Sequence, residues 1–104
     1  MTTEEQEDVR ASVGVLRRCG PSLGRPHVDS VVGSRYPNMK ELRTQHAGRP
    51  YRTLFAFDPR RAAVLLIGGD KTGNKRWYEE FVPRADKIYA EHLKEIVEEE
   101  NRQQ

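Results

Sequence analysis

Cysteine is almost absent from this chain: Cys19 is the only one in 104 residues. One thiol cannot close an internal disulfide, so the fold must rest on packing rather than on the cross-linked framework of a small secreted domain. In that setting Cys19 is read as an ordinary small side chain. Histidine is scarce too, and the three present do not combine with Cys19 at the spacing of a zinc site. Long apolar runs are missing. The longest, residues 62–67, is far too short to span a bilayer. The N-terminal MTTEEQEDVR is acidic and lacks the apolar stretch of a secretory signal. These absences predict a soluble cytoplasmic protein with no membrane association, no metal and no other cofactor. No internal repeat or second domain is visible, and the length predicts one domain over residues 1–104 with a modest core.

A nucleotide-binding phosphate loop is also missing. Residues 68–75, GGDKTGNK, look like one at first sight. The motif needs Gly-Lys-Ser/Thr after four spacer residues, and here Asn74 follows Gly73. The glycines are expected instead to let the backbone leave the sheet and display Lys71.

What the chain does have is segregated charge. Between Arg35 and Arg76 stand ten basic residues against three acidic ones, a local excess of +7 in a chain whose formal total is +2. The segment before it sums to −1 and the one after it to −4. A small basic sheet that also carries Tyr and His invites a polyanion, nucleic acid first. Residues 51–58 and 62–67 are β-branched or aromatic-rich and read as strands. Asp58-Pro59-Arg60-Arg61 carries hairpin-turn chemistry between them. Residues 40–44 precede a second turn around Gly48-Arg49-Pro50, which completes a three-stranded antiparallel meander. The last strand is apolar on both faces and is expected to be central and covered. In the middle strand Arg52 shares a face with Leu54 and Ala56, so it sits at the edge of a core. An arginine there is costly unless it serves an anion or a carboxylate.

Around the meander the spacing predicts two helices. Thr2 and Thr3 offer capping starts for the first, and Gly20-Pro21 ends it. Residues 20–38 read as a long loop from which His27, Arg35 and Tyr36 could reach a ligand. From Trp77 to Ile96 apolar residues recur at helical spacing, with a kink or new segment expected at Pro83. His92 lies on the apolar stripe and reads as a packed histidine. The acidic tail, residues 97–104, is expected to fray.

The order MKELR, GRPYRTLFAFDPRR, AVLLIGGDKTGNKRWYEEFVPRAD and IYAEHL resembles the RelE/HigB-type toxins of bacterial type II toxin–antitoxin pairs, in particular the phage-derived HigB-like branch. The resemblance covers about residues 10 to 95. It implies a compact α+β fold in which the N-terminal and C-terminal helices pack on one face of a twisted antiparallel sheet of about three strands. It also implies an endoribonuclease (an mRNA interferase) that cuts mRNA on the ribosome, inhibits translation and is neutralised by a cognate antitoxin, a helix-turn-helix protein. On the family pattern Arg52, Lys71 and Tyr78 are the cleavage residues, and Lys40 and Arg43 are basic residues around the sheet. Two departures stand out. Family chains usually open with a strand before the first helix, whereas this one opens in the helix, so either the chain is shortened or a sheet edge is open to a partner strand. Glu41 stands where related toxins often carry a basic residue, which is expected to weaken phosphate binding.

Metal-independent RNA cleavage must deprotonate a 2′-hydroxyl, stabilise a pentacoordinate phosphate and protonate a 5′-oxygen. Arg52 and Lys71 are expected to clamp the phosphate. Tyr78 stacks on a base or assists proton transfer, with stacking favoured because an unperturbed phenol is a poor base at neutral pH. His46 is a competing proton shuttle. Arg43, Arg49, Lys75 and Arg76 would hold flanking phosphates or ribosomal RNA. Two other readings compete: a related toxin that blocks a DNA-handling enzyme by protein contact, and an RNA-binding relative with a worn site.

Overall fold

The computed structural model describes residues 2–102. Helix α1 (Thr3–Cys19) opens on Thr2, whose Oγ1 accepts the Glu5 backbone N–H at 3.2 Å. Glu4 and Glu5 in its first turn and Arg17 and Arg18 in its last complement the helix dipole. It stops at Gly20, whose φ of +60° glycine tolerates best.

Strands β1 (Val28–Ser30), β2 (Lys40–His46), β3 (Arg49–Phe57) and β4 (Ala63–Asp70) then form one antiparallel sheet in the order β1-β2-β3-β4. Among the described residues the expected three or so strands are four. The extra one, β1, lies in the segment read as loop, and three residues are too few to show a period. It is a strand because Val28 pairs with Leu42 and is buried there. The β2–β3 turn is Ala47-Gly48, both with positive φ (50° and 79°), the two-residue geometry that matches strand twist. Arg49 and Pro50, expected in that turn, therefore belong to β3. At the β3–β4 turn Asp58 Oδ1 accepts the N–H groups of Arg60 (2.8 Å) and Ala62 (3.0 Å), as its sequence suggests.

Two expectations about β4 are corrected. It pairs with β3 alone among the described strands, so it is an edge strand, and its residues are exposed or half-buried rather than covered. Apolarity on both faces could not distinguish a central strand from an uncovered edge. Gly68 and Gly69 do not leave the sheet either; they pair with Thr53 and Arg52, and the chain departs only after Asp70.

The helices flank the sheet on opposite faces, not on one. The period of two along β2 and β3 produces this. Leu42 and Phe55 meet Leu16 of α1 and Val28 in one cluster. Leu54 and Ala56, on the other side, meet Trp77, Val82, Ala85 and Tyr89 of α2 (Trp77–Arg102) together with Met39. Pro83 lies inside α2, which is one continuous element with no new segment starting there; the proline leaves the Glu79 carbonyl without its N–H partner four residues on. The helix continues through Arg102, beyond residue 97 where fraying is expected, and residues 103 and 104 lie outside the described residues. His92 packs as expected, its Nε2 donating to Asp58 Oδ2 at 2.9 Å. Among the described residues no helix is long and apolar enough to cross a membrane.

Candidate active site

The alternation that directs Leu54 and Ala56 toward α2 directs Arg52 there too, and the β2 register brings Glu41 and Arg43 to the same face. Arg43 and Arg52 are direct cross-strand partners. Like charges so placed repel unless an anion stands between them. Glu41 is that anion. Its Oε1 accepts Arg43 Nε at 3.2 Å, and its Oε2 lies 3.8 Å from Arg52 Nε. Arg43 also reaches Asp29 Oδ2 on β1 at 3.1 Å. Glu41 is 4% exposed and Arg52 8%, so either charge alone would carry a large desolvation cost. Arg52 Nη1 donates to the Tyr51 carbonyl at 3.0 Å, while its buried Nε has no hydrogen-bond partner among the described residues.

Helix α2 contributes Tyr78, whose hydroxyl donates to Glu41 Oε2 at 2.6 Å. Lys71 follows β4 directly, and its N–H donates to the Pro50 carbonyl at 3.0 Å, which fixes where the side chain starts. Its Nζ lies 3.4 Å from the Tyr78 hydroxyl and 5.0 Å from the ring centre. A Cβ on Gly69 would stand 3.4 Å from Trp77 Nε1, and the buried Trp77 ring meets Tyr78 edge-on at 5.1 Å. Burial of the Tyr78 phenol raises its pKa, the contact with Glu41 adds to that, and Arg52 opposes it. The net effect keeps Tyr78 protonated at neutral pH, as a donor.

Arg52, Lys71 and Tyr78 therefore meet, with Arg43 joined through Glu41. His46 does not join them. It lies on the α1 face, its Nδ1 bonded to Asp8 of α1, because even-numbered residues of β2 point away from Glu41. Lys40 and Arg49 share that face by the same alternation. Lys75 and Arg76 are exposed just before α2, and Arg76 is tied to Glu79 at 3.0 Å. Glu41 is the member that sequence reasoning set apart as a handicap. The i, i+2 spacing in KELR already pairs it with Arg43, but only the strand register shows that Arg52 stands opposite. Among the described residues no group of acidic, His or Cys side chains is arranged to hold a metal ion.

The family described as Phage derived protein Gp49-like (DUF891) matches residues 1–90. The chain is 51% identical over 92 residues to HigB2, a candidate toxin of Mycobacterium tuberculosis, a match covering 86% of this chain and 46% of HigB2. It is also 51% identical over 87 residues to the candidate toxin HigB3 of the same organism, covering 83% of this chain and 75% of HigB3. The chain thus spans just under half the length of HigB2. No solved structure matches it. By these matches the chain belongs to the phage-derived Gp49-like family, among the HigB-like members of type II toxin–antitoxin systems.

Proposed function

We propose that this protein is the toxin of a type II toxin–antitoxin pair, an endoribonuclease that cuts mRNA on the ribosome and is held in check by a cognate helix-turn-helix antitoxin. The observation that carries the reading is the Tyr78 hydroxyl, set between Glu41 Oε2 at 2.6 Å and Lys71 Nζ at 3.4 Å, with Arg52 behind the same carboxylate. A proton donor, a proton acceptor and two cations are then within reach of one phosphodiester.

RNA supplies its own nucleophile. Attack by the 2′-oxygen forms an O2′–P bond and breaks the P–O5′ bond, leaving a 2′,3′-cyclic phosphate and a 5′-hydroxyl. Lys71 at the rim and Arg52 at the floor stabilise the charge gathering on the phosphoryl oxygens. Tyr78, which holds its proton, gives it to the departing O5′. Glu41 takes the proton from O2′ and passes it to Tyr78 along their shared hydrogen bond. On this reading Glu41 belongs to the machinery. His46 has no part in it, and no step calls on a metal.

The test is cleavage of an mRNA, free and on ribosomes, by the purified protein. We expect 2′,3′-cyclic ends, undiminished by EDTA, with rates about 100-fold lower in Tyr78→Phe and in Lys71→Ala. Arg52→Ala leaves Glu41 its bonds from Arg43 and Tyr78, so it should abolish cleavage with the fold intact; Arg52→Lys keeps the charge and loses the fork. Intact mRNA together with DNA breaks after induced expression would replace this reading with the contact inhibitor of a DNA-handling enzyme. Neither effect would leave an RNA binder.

A further inference from the structure

Strand β1 puts a second carboxylate beside Glu41. Asp29 and Glu41 are direct cross-strand partners, and like charges so placed repel unless a cation stands between them. Arg43 is that cation. Its Nη2 lies 3.1 Å from Asp29 Oδ2 and 3.2 Å from Glu41 Oε1, and its Nε donates to the same Oε1 at 3.2 Å. Asp29 is itself held at both oxygens: the Ser30 N–H donates to Oδ1 at 2.9 Å, and Arg25 Nη2 reaches Oδ2 at 3.0 Å. Those bonds, Arg25 first, keep its carboxyl below the ordinary carboxylate range, so Asp29 is charged at neutral pH.

An arginine and a carboxylate left to themselves favour a fork, two nitrogens bonded to two oxygens. Arg43 does not form one here. Its nitrogens converge on Oε1 alone while Nη2 is shared with Asp29. The other oxygen, Oε2, is left to the Tyr78 hydroxyl at 2.6 Å and to Arg52 Nε at 3.8 Å. The pair between Asp29 and Arg25, whose side chain is 78% exposed, contributes little by itself. The contact with Arg43 is the one that reaches the site.

We infer that Asp29 is a positioning residue for RNA cleavage: it draws Arg43 toward β1, so that the guanidinium takes one oxygen of Glu41 and leaves the other to Tyr78 and the RNA 2′-hydroxyl. The inference rests on the reading of Glu41 and Tyr78 as the proton-transfer pair. Without the Asp29 charge, Arg43 closes its fork over both oxygens and loosens the Tyr78 contact. Asp29 acts through Arg43 and touches no reacting atom. A carboxylate that merely sat near the RNA would behave in the opposite way. Its removal would strengthen binding of a polyanion and leave the chemical step alone.

Asp29→Asn, made in the full chain, keeps the shape of the side chain and removes its charge. The kcat for mRNA cleavage should fall about tenfold with no rise in KM, and Asp29→Glu should regain most of the loss. Tyr78 reports the same geometry without RNA. Its phenol is faced by Glu41 from β2, with Arg43 behind it, by Arg52 from β3 and by Lys71 beyond β4. Of these contacts the Glu41 bond is the one that Asp29 protects. The tyrosinate midpoint of Tyr78, read as the absorbance lost in Tyr78→Phe, should move down toward 10.0 in Asp29→Asn and return in Asp29→Glu. In an Arg43→Ala background Asp29→Asn should leave that midpoint where it is. A midpoint unmoved by Asp29→Asn, or moved as far without Arg43, in a protein that cuts RNA would overturn the inference and leave the nuclease standing. An unaltered protein that cuts no RNA would remove both.

Discussion

Two arginines facing each other across β2 and β3, with one buried glutamate between them, hold the chemistry of this protein in a few side chains. Neither sign is stable there alone, so the cluster is fixed in place by its own electrostatics. Tyr78 completes it and carries a measurable signature. Burial first and the Glu41 contact second place its pKa above the ordinary 10.0. The tyrosinate absorbance lost in Tyr78→Phe should therefore have its midpoint above pH 10. Because the folded pKa lies above the unfolded one, this group contributes stability that is fully present below pH 10 and lost as pH rises through the folded value. A Tyr78 that ionises at or below its ordinary value would contradict the Glu41 contact.

Among the elements, the β3–β4 hairpin carries most of the positioning. Asp58 at its turn accepts two backbone N–H groups and His92 of α2, so one carboxylate ties the hairpin to the helix. Burial is the largest influence on Asp58 and pushes its pKa up. The bonds from His92, Ala62 and Arg60 outweigh it and leave the pKa below the ordinary 3.8. Its contribution is thus present above that value and lost as pH falls through the folded pKa. Asp58→Ala should cost about 2–4 kcal/mol in urea unfolding at neutral pH and flatten the acid limb of the stability profile. Gly68 is the second fixed point. A Cβ there would stand 3.2 Å from the Arg52 carbonyl oxygen, a backbone atom within the ladder, and 3.3 Å from Thr53 Oγ1. Gly68→Ala should cost about 1–3 kcal/mol and lower activity through displacement of Arg52; an unchanged unfolding midpoint would show that the ladder yields more readily than this packing implies.

Across the whole molecule, opposite faces of one sheet do different work. The α1 face holds His46, paired with Asp8, and the Leu16 cluster, while the α2 face holds the cationic cluster. The basic excess of the middle segment is therefore divided, and only part of it can meet one RNA strand. If Arg43, Arg52 and Lys71 are the phosphate contacts, the logarithm of RNA affinity should fall with the logarithm of salt at a slope of about −2, and Lys71→Ala should reduce that slope by about 0.7. A much steeper slope, equally reduced by Lys40→Ala, would mean that RNA also engages the α1 face.

The sequence by itself determined most of the elements and the chemistry available to them. Capping at Thr2, the stop at Gly20, the Asp58 turn and the period of two that puts Arg52 beside Leu54 and Ala56 are local consequences of side-chain geometry, legible without coordinates. Only the tertiary structure decided what those elements face. Strand register, set by pairing between distant segments, turned Glu41 from an apparent handicap into the partner of Arg43, Arg52 and Tyr78. It also sent His46 to the far side of the sheet. The edge position of β4 and the short β1 were likewise beyond local pattern, because a run of apolar residues records that a strand can be buried and not which neighbour covers it.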